Sequence, residues 1–184
     1  GSYYAERVLK RPEPKVGLLN IGAEPSKGTD LQREAYALLT EAGKAGRIHF
    51  VGNVEAREAV EGAVDVIVSD GYSGNIFLKT MEGTAGYISQ EIKKIFLKSA
   101  RTKAAALMIK GELGGFRRKF DYREVGGTAL LGISQPVIKA HGSSNAYAFF
   151  NAIRQAQVVA QADIVGDIAA NVAHMRLEPG EKEG

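Results

Sequence analysis

Cysteine is absent from all 184 residues, so no disulfide framework can form and no thiolate is on hand as nucleophile or metal ligand. Histidine is scarce as well. His49, His141 and His174 stand far apart without ligand spacing, which excludes a Cys/His structural metal site and points to chemistry without metal or cofactor. No apolar run approaches the roughly 20 residues a spanning helix needs, and no charged stretch leads into a signal-type apolar segment. A cytoplasmic location is the expectation. No Gly-x-Gly-x-x-Gly with an acidic residue about 20 positions further on is present, which sets aside a nicotinamide dehydrogenase. An initiator Met is missing too: the chain opens on Gly1-Ser2-Tyr3-Tyr4. Residues 2–9 read as the end of an amphipathic helix, so the expectation is the interior of a longer protein.

What is present is ordinary in bulk and unusual in pattern. Apolar residues make up 45% and charged residues 24%, enough for one domain with a substantial core. The β-branched run Val64 to Val68 feeds directly into Ser69-Asp70-Gly71-Tyr72-Ser73-Gly74-Asn75. At a strand-to-helix junction the first helical N–H groups have no intrahelical partner, and glycine lets the main chain wrap closely around an anion. The junction therefore reads as a phosphate or oxyanion cradle, or as an ordinary turn. The same grammar recurs where residues 15–21 run into Gly22 to Gly28, 47–51 into Gly52-Asn53-Val54-Glu55, and 136–139 into Ala140-His141-Gly142-Ser143-Ser144-Asn145. In an open parallel sheet, strand C-terminal ends share one edge, so four such loops can converge on one crevice.

The coarse pattern predicts strands at 15–21, 47–51, 64–68 and 136–140. Helices are predicted near 30–42, 55–61, 74–99, 145–161 and 164–175. Thr29 or Asp30 caps the first of these and Gly43 stops it. Alternation at this spacing argues for a parallel sheet. A single α/β domain is expected over 1–177, with a disordered tail at 178–184. The segment 98–123 departs from the pattern. Lys98, Arg101, Lys103, Lys110, Arg117, Arg118, Lys119 and Arg123 face only Glu112 and Asp121, giving this segment +6 where the whole chain is +3. With Ala104 to Ile109, Leu113 and Phe116 interleaved, it reads as a protruding basic helical hairpin. Such an element suits an anionic membrane surface, an acidic protein partner or a second subunit. Nucleic acid does not fit, since no aromatic interleaving or binding motif accompanies the charge.

Taken in order, Asn20-Ile21-Gly22, Gly52-Asn53-Val54-Glu55, Ser69-Asp70-Gly71 with Gly74-Asn75, Lys79-Thr80-Met81-Glu82-Gly83, Gly126 to Gly132, and Lys139-Ala140-His141-Gly142-Ser143-Ser144 resemble the phosphate acyltransferase (PlsX) family. The likeness runs from the first residue to about Gln161 and corresponds to the family's C-terminal half. It implies an open, mostly parallel α/β sheet with helices on both faces, of the isocitrate/isopropylmalate dehydrogenase type. It further implies transfer of a long-chain fatty acyl group from acyl carrier protein to inorganic phosphate, giving acyl phosphate for phospholipid synthesis. A homodimer and a peripheral contact with anionic membrane accompany that expectation. Two departures stand out: Asn145 occupies a position where the family typically has aspartate, and Val125 one where it often has tyrosine.

The residues suit that chemistry. Phosphate is a ready oxygen nucleophile and a thiol of pKa near 8.5 a tolerable leaving group. The site therefore has to position reactants and stabilise an oxyanion, without a covalent nucleophile. His141 is expected to protonate the departing thiolate or donate to the oxyanion, or else to be a structural histidine at a helix start. Lys79 and Asn75, with the loop Gly71, Ser73 and Gly74, are expected to hold phosphate, although Lys79 also reads as a solvated helix cation. Lys139 is a second phosphate candidate. Asn20 and Asn53 are weaker ones, because Asn beside Gly is also what a tight turn requires. Ser143 and Ser144 are expected to cap the helix that follows. Two alternatives remain open: transacetylase-like transfer between coenzyme A and phosphate, and a non-catalytic dimerisation or membrane-docking module.

Overall fold

The computed structural model describes residues 1–175; the side chains of Arg117, Lys119, His174 and Met175 lie outside the described residues, as does the 178–184 tail. Along the chain the elements are α1 (Ser2–Arg7), β1 (Lys15–Asn20), α2 (Asp30–Lys44), β2 (His49–Glu55), α3 (Ala56–Glu61), β3 (Val66–Val68) and α4 (Gly71–Leu97). There follow α5 (Ala100–Met108), α6 (Lys110–Lys119), α7 (Tyr122–Val125), β4 (Gly127–Leu130), β5 (Val137–Ala140), α8 (Ala146–Gln161) and α9 (Ile164–Met175). They gather into two compact units, one formed by 1–74, 129–137 and 156 onward, the other by 75–128 and 138–155.

The first unit is an α/β layer around a three-stranded parallel sheet in the order β2-β1-β3. β1 lies at its centre, with Val16, Gly17 and Leu18 buried in succession, the near-continuous apolar run of a strand covered on both faces. Gly17 is required there because a Cβ would come within 2.9 Å of Val54 and Val64 side-chain carbons. α2 and α3 pack on β1 and β2, and α9 packs on α1 with Arg7 Nε 3.0 Å from Asp167 Oδ2. Ala5, Val16, Leu18, Val54, Val159 and Ile164 form the core of this unit.

Several boundaries differ from the sequence expectation. β2 runs on through Gly52-Asn53-Val54 because the register against β1 jumps from Val16↔Phe50 to Gly17↔Gly52. A β-bulge absorbs the extra residue, with Gly52 at φ +101°. Gly43 lies inside α2, its bare face 3.2 Å from Phe50 Cβ by the ideal-Cβ position, and the helix continues to Lys44. Residues 71–74 are the first turn of α4, so the expected loop before that helix is helix. The fourth expected strand exists, but β5 pairs with β4 in a separate two-stranded sheet. β4 was not expected, because its glycine-rich sequence lacks the alternation that marks a strand.

In the second unit, α7 and β4 are joined by Gly126 at φ +86°. A Cβ at this position would lie 2.2 Å from Ala152 N and 2.6 Å from Ala148 O of α8. Ala148, Asn151 and Ala152 are buried here, and Asn151 Nδ2 donates to Arg123 O at 2.9 Å. Among the described residues no helix is long and apolar enough to cross a membrane. Gly126→Ala combines a left-handed backbone with a clash against immovable main chain and should cost at least ~2 kcal/mol. Urea denaturation will show it as a lower midpoint at unchanged slope.

Candidate functional site

The three parallel strands put their C-terminal ends on one edge of the first unit, and side chains there tie the loops together. Asn20 closes β1 and is buried; its Nδ2 donates to Lys27 O at 3.1 Å, while Ile21 N donates to its Oδ1 at 2.8 Å. Asn53, carried past the bulge, donates from Nδ2 to Glu24 O at 2.8 Å. Both amides thus grip the 22–28 loop from neighbouring strands. Gly28, at φ +89°, lets that loop close, since a Cβ would sit 2.8 Å from Asn20 Oδ1. Asn53 Oδ1 is buried without a hydrogen-bond partner.

At the end of β3, Asp70 caps α4. Its Oδ1 accepts from Tyr72 N at 2.9 Å and Ser73 N at 2.7 Å, and Gln32 Nε2 of α2 donates to its Oδ2 at 3.2 Å. The orphan N–H groups of this glycine-rich turn, with Gly71, Ser73 and Gly74, therefore already face a carboxylate. The Ser73 backbone N–H, then its hydroxyl, with a lesser part from the Tyr72 N–H, hold the Asp70 carboxyl below its ordinary value against an opposing desolvation. Gly74 is needed beside it, for a Cβ would fall 2.1 Å from Ser69 Oγ.

The second unit carries the remaining candidates. Asn75 is exposed early in α4, and Lys79 pairs with Glu82 at 2.8 Å on the same helix. An exposed pair of this kind is weak and exchanges readily for another anion. Lys139 is exposed on β5. Immediately beyond it, Ser143 Oγ lies 2.7 Å from His141 Nδ1, and Ser143 N donates to the same Nδ1 at 3.1 Å. Tyr122 OH lies 3.0 Å from Ser143 Oγ, and its ring packs on the imidazole with centroids 5.0 Å apart. The backbone N–H settles the polarity. Nδ1 accepts, so neutral His141 carries its proton on Nε2, the Ser143 hydroxyl donates to Nδ1, and the Tyr122 hydroxyl donates to Ser143.

Ser143 is therefore committed to His141 and does not cap α8, as the sequence had suggested. Asn145 does so, its Oδ1 accepting from Ala148 N at 2.9 Å. The other expected cap, Ser144 Oγ, is buried without a partner. Around this cluster, Arg123 forms a two-pronged pair with Asp121, Nε to Oδ1 at 2.8 Å and Nη2 to Oδ2 at 2.6 Å. The hydrogen bond and charge of Asp121 hold the Arg123 guanidinium proton more firmly than usual. Tyr147 OH donates to Glu124 Oε2 at 2.9 Å. Of the basic set, Arg101 and Lys103 are exposed on α5, Lys110 opens α6 and Arg118 is exposed along it. The side chains of Arg117 and Lys119 belong to the undescribed group. Sequence reasoning missed Tyr122, which lies 21 residues from Ser143 with no local signal linking them. It also missed the Asp70 cap, which the Asp at the residue before a helical glycine could have revealed.

The first unit offers glycine-rich strand ends and the second a histidine whose ring is set by a serine and a tyrosine, and neither by itself specifies a reaction. Sequence comparison narrows it. Residues 1–166 match the family described as fatty acid synthesis protein, and the chain belongs to that family. It is 50% identical over 172 residues to the phosphate acyltransferase of Oceanobacillus iheyensis, covering 94% of this chain and 51% of that protein. It is also 44% identical over 178 residues to the phosphate acyltransferase of Lysinibacillus sphaericus, covering 97% and 53%, and 45% identical over 165 residues to that of Staphylococcus aureus, covering 90% and 49%. The chain spans about half the length of these curated relatives.

The Asp70 cap has a consequence for acid stability. Its folded-state pKa is lowered, so the protein gains from the ionised cap above the unfolded carboxyl value and loses that gain as pH falls through the folded value. Thermal melts from pH 6 downward should show Asp70→Asn less acid-sensitive than wild type across the carboxylate range. The two proteins should converge once Asp70 is protonated in both states.

Proposed function

We propose that this chain supplies part of a phosphate acyltransferase, moving a long-chain fatty acyl group from acyl carrier protein to inorganic phosphate to give acyl phosphate for phospholipid synthesis. The observation that carries the reading is His141. Its Nδ1 is saturated by Ser143, which leaves an Nε2–H as donor. In the reaction a phosphate oxygen attacks the thioester carbonyl, the C–O bond forms, and the tetrahedral oxyanion collapses with loss of the C–S bond. His141 Nε2–H donates a hydrogen bond to the oxyanion and then to the departing sulfur while keeping its proton, and the proton released by the phosphate goes to the thiolate. The Ser143 and Tyr122 hydroxyls keep the tautomer fixed throughout. Phosphate is assigned to Lys139 and Lys79 with Asn75, while Asp70 takes up the N–H groups of the 71–74 turn. Asn20 and Asn53 act by holding the neighbouring loop. The open dehydrogenase-type sheet and a homodimer belong to the same proposal.

A second element of the reading concerns α5 and α6 as a basic hairpin. Leu107 and Met108 are 73% and 85% exposed beside Lys103 and Lys110, a combination that suits an anionic membrane surface or an acidic carrier. Reversing Arg101, Lys103 and Arg118 to Glu should abolish sedimentation with anionic vesicles, or carrier capture, while circular dichroism is retained. Survival of both would make the segment a contact between subunits.

The deciding assay is phosphate-dependent release of free thiol from a long-chain acyl carrier protein, by this chain alone and within a full-length protein of the family. His141→Ala should lower turnover by roughly 10²- to 10³-fold through loss of the oxyanion donor. Tyr122→Phe should lower it several-fold, with the pH profile displaced, since the ring stays in place and only the outermost hydrogen bond is lost. Consumption of acetyl coenzyme A with phosphate, and no release from carrier protein, would replace this reading by the transacetylase one.

A further inference from the structure

α4 from Glu82 onward, α5, α6, the segment 120–123, Ser143 and Asn145 line an open cavity of about 1110 Å³ that lies wholly within the second unit. It exceeds the roughly 300–1,000 Å³ usual for small-ligand pockets, far more than phosphate requires. The α4 wall runs from Glu82 to Leu97, with Gly86, Ser89, Lys93 and Phe96 along it, and it extends over about 20 Å of helix. Opposite it stand Leu107, Leu113 and Phe116. Leu107 is 73% and Phe116 45% exposed, so an apolar occupant would remove a large hydrophobic area from water. Charged side chains, Glu82, Lys93, Lys103 and Lys110 among them, also line it, and in one part of the wall Tyr122 and Ser143 face the cavity, with His141 joined to them through Ser143. The apolar side chains of Phe96, Leu97, Leu107, Leu113 and Phe116, with the histidine–serine–tyrosine cluster in one wall, suit a hydrocarbon chain that carries one reactive carbonyl.

We propose that this cavity is the acyl-chain subsite, holding an unbranched long chain along α4 with its carbonyl at His141, and that Gly86 and Gly114 keep the trough open and so set the chain length accepted. The assignment rests on the acyl-transfer reading for its carbonyl end, and on the cavity alone for its hydrocarbon part. Both glycines line the cavity, and an added Cβ at either meets nothing within 4 Å. Bulk placed there therefore enters the trough without striking the fold. Leucine also propagates a helix better than glycine, so the variants are expected to fold. Gly83 supplies the control: it lies one turn earlier in α4, its Cβ position is equally open, and it is not part of the lining.

The experiment has two arms. In the first, this chain is titrated with cis-parinaric acid as a fluorescent 18-carbon probe, followed by competition with palmitate and octanoate. Saturable binding displaced by palmitate is expected, weakened at least tenfold in Gly86→Leu and Gly114→Leu and unchanged in Gly83→Leu. Absence of saturable binding, or equal weakening in all three variants, overturns the subsite. In the second arm, the same substitutions in a full-length protein of the family are assayed for acyl phosphate formation with 8- to 18-carbon thioesters. A shift of preference toward short chains in the two lining variants supports the proposal. Activity with an unchanged chain-length profile overturns it and leaves the acyl-transfer reading standing. Probe binding that responds to the substitutions without any acyl phosphate formation supports the hydrocarbon subsite and removes the transfer reading instead.

Discussion

Burial of β1 between two parallel neighbours is the constraint on which the first unit depends. Because β2 and β3 both run with it, every strand end and every helix start that follows is delivered to the same edge of the sheet. Val16, Gly17 and Leu18 leave no freedom to slip the register, since a one-residue shift would bring a valine or leucine side chain to the place of Gly17, where even a Cβ lies 2.9 Å from Val54 and Val64. Asn20, Asn53 and Asp70 are consequently brought to one rim by backbone pairing, before any side-chain interaction is formed. Their hydrogen bonds then close the loops over that rim.

The second unit is organised by a different principle, a directed line of hydroxyls. A single backbone N–H, that of Ser143, makes His141 Nδ1 an acceptor, and the direction of every other bond in the cluster follows. Tyr122 reaches the line because α7 is a short turn capped by Asp121 and fastened to α8 through Asn151. Gly126 permits that fastening by having no side chain where α8 passes. Main-chain geometry thus sets the donor at Nε2 at some distance from the ring itself.

Much of the fold was legible in the residues. β1 and β3 declared themselves by β-branched and apolar runs, and α2 by its cap at Thr29, because these signals are local; α8 is capped by Asn145 and not by the serines expected there. Gly52 was misleading: glycine normally ends a strand, but here it forms a bulge, a pairing property invisible without the partner strand. β4 escaped notice because its identity lies in its pairing with β5. The site shows the same division. His141 and Lys79 could be singled out by residue type and position, whereas Tyr122 joins His141 only through chain reversal over about 20 residues. Asp70 was visible, but its role as the occupant of the turn's N–H groups depended on where α4 begins.

The bulge in β2 also bears on how such a loop grip can vary between proteins. Downstream of Phe50 the strand is displaced by one residue against β1, and it is this displacement that sets Asn53 opposite Leu18. An edge strand with a bulge can gain or shed a residue there while the central strand keeps its own partners on the far side. A length change at Gly52 would therefore move Asn53, and with it the grip on the 22–28 loop, together with Val54 in the core, so the tightness of that loop and the packing of the sheet are coupled through one bulge.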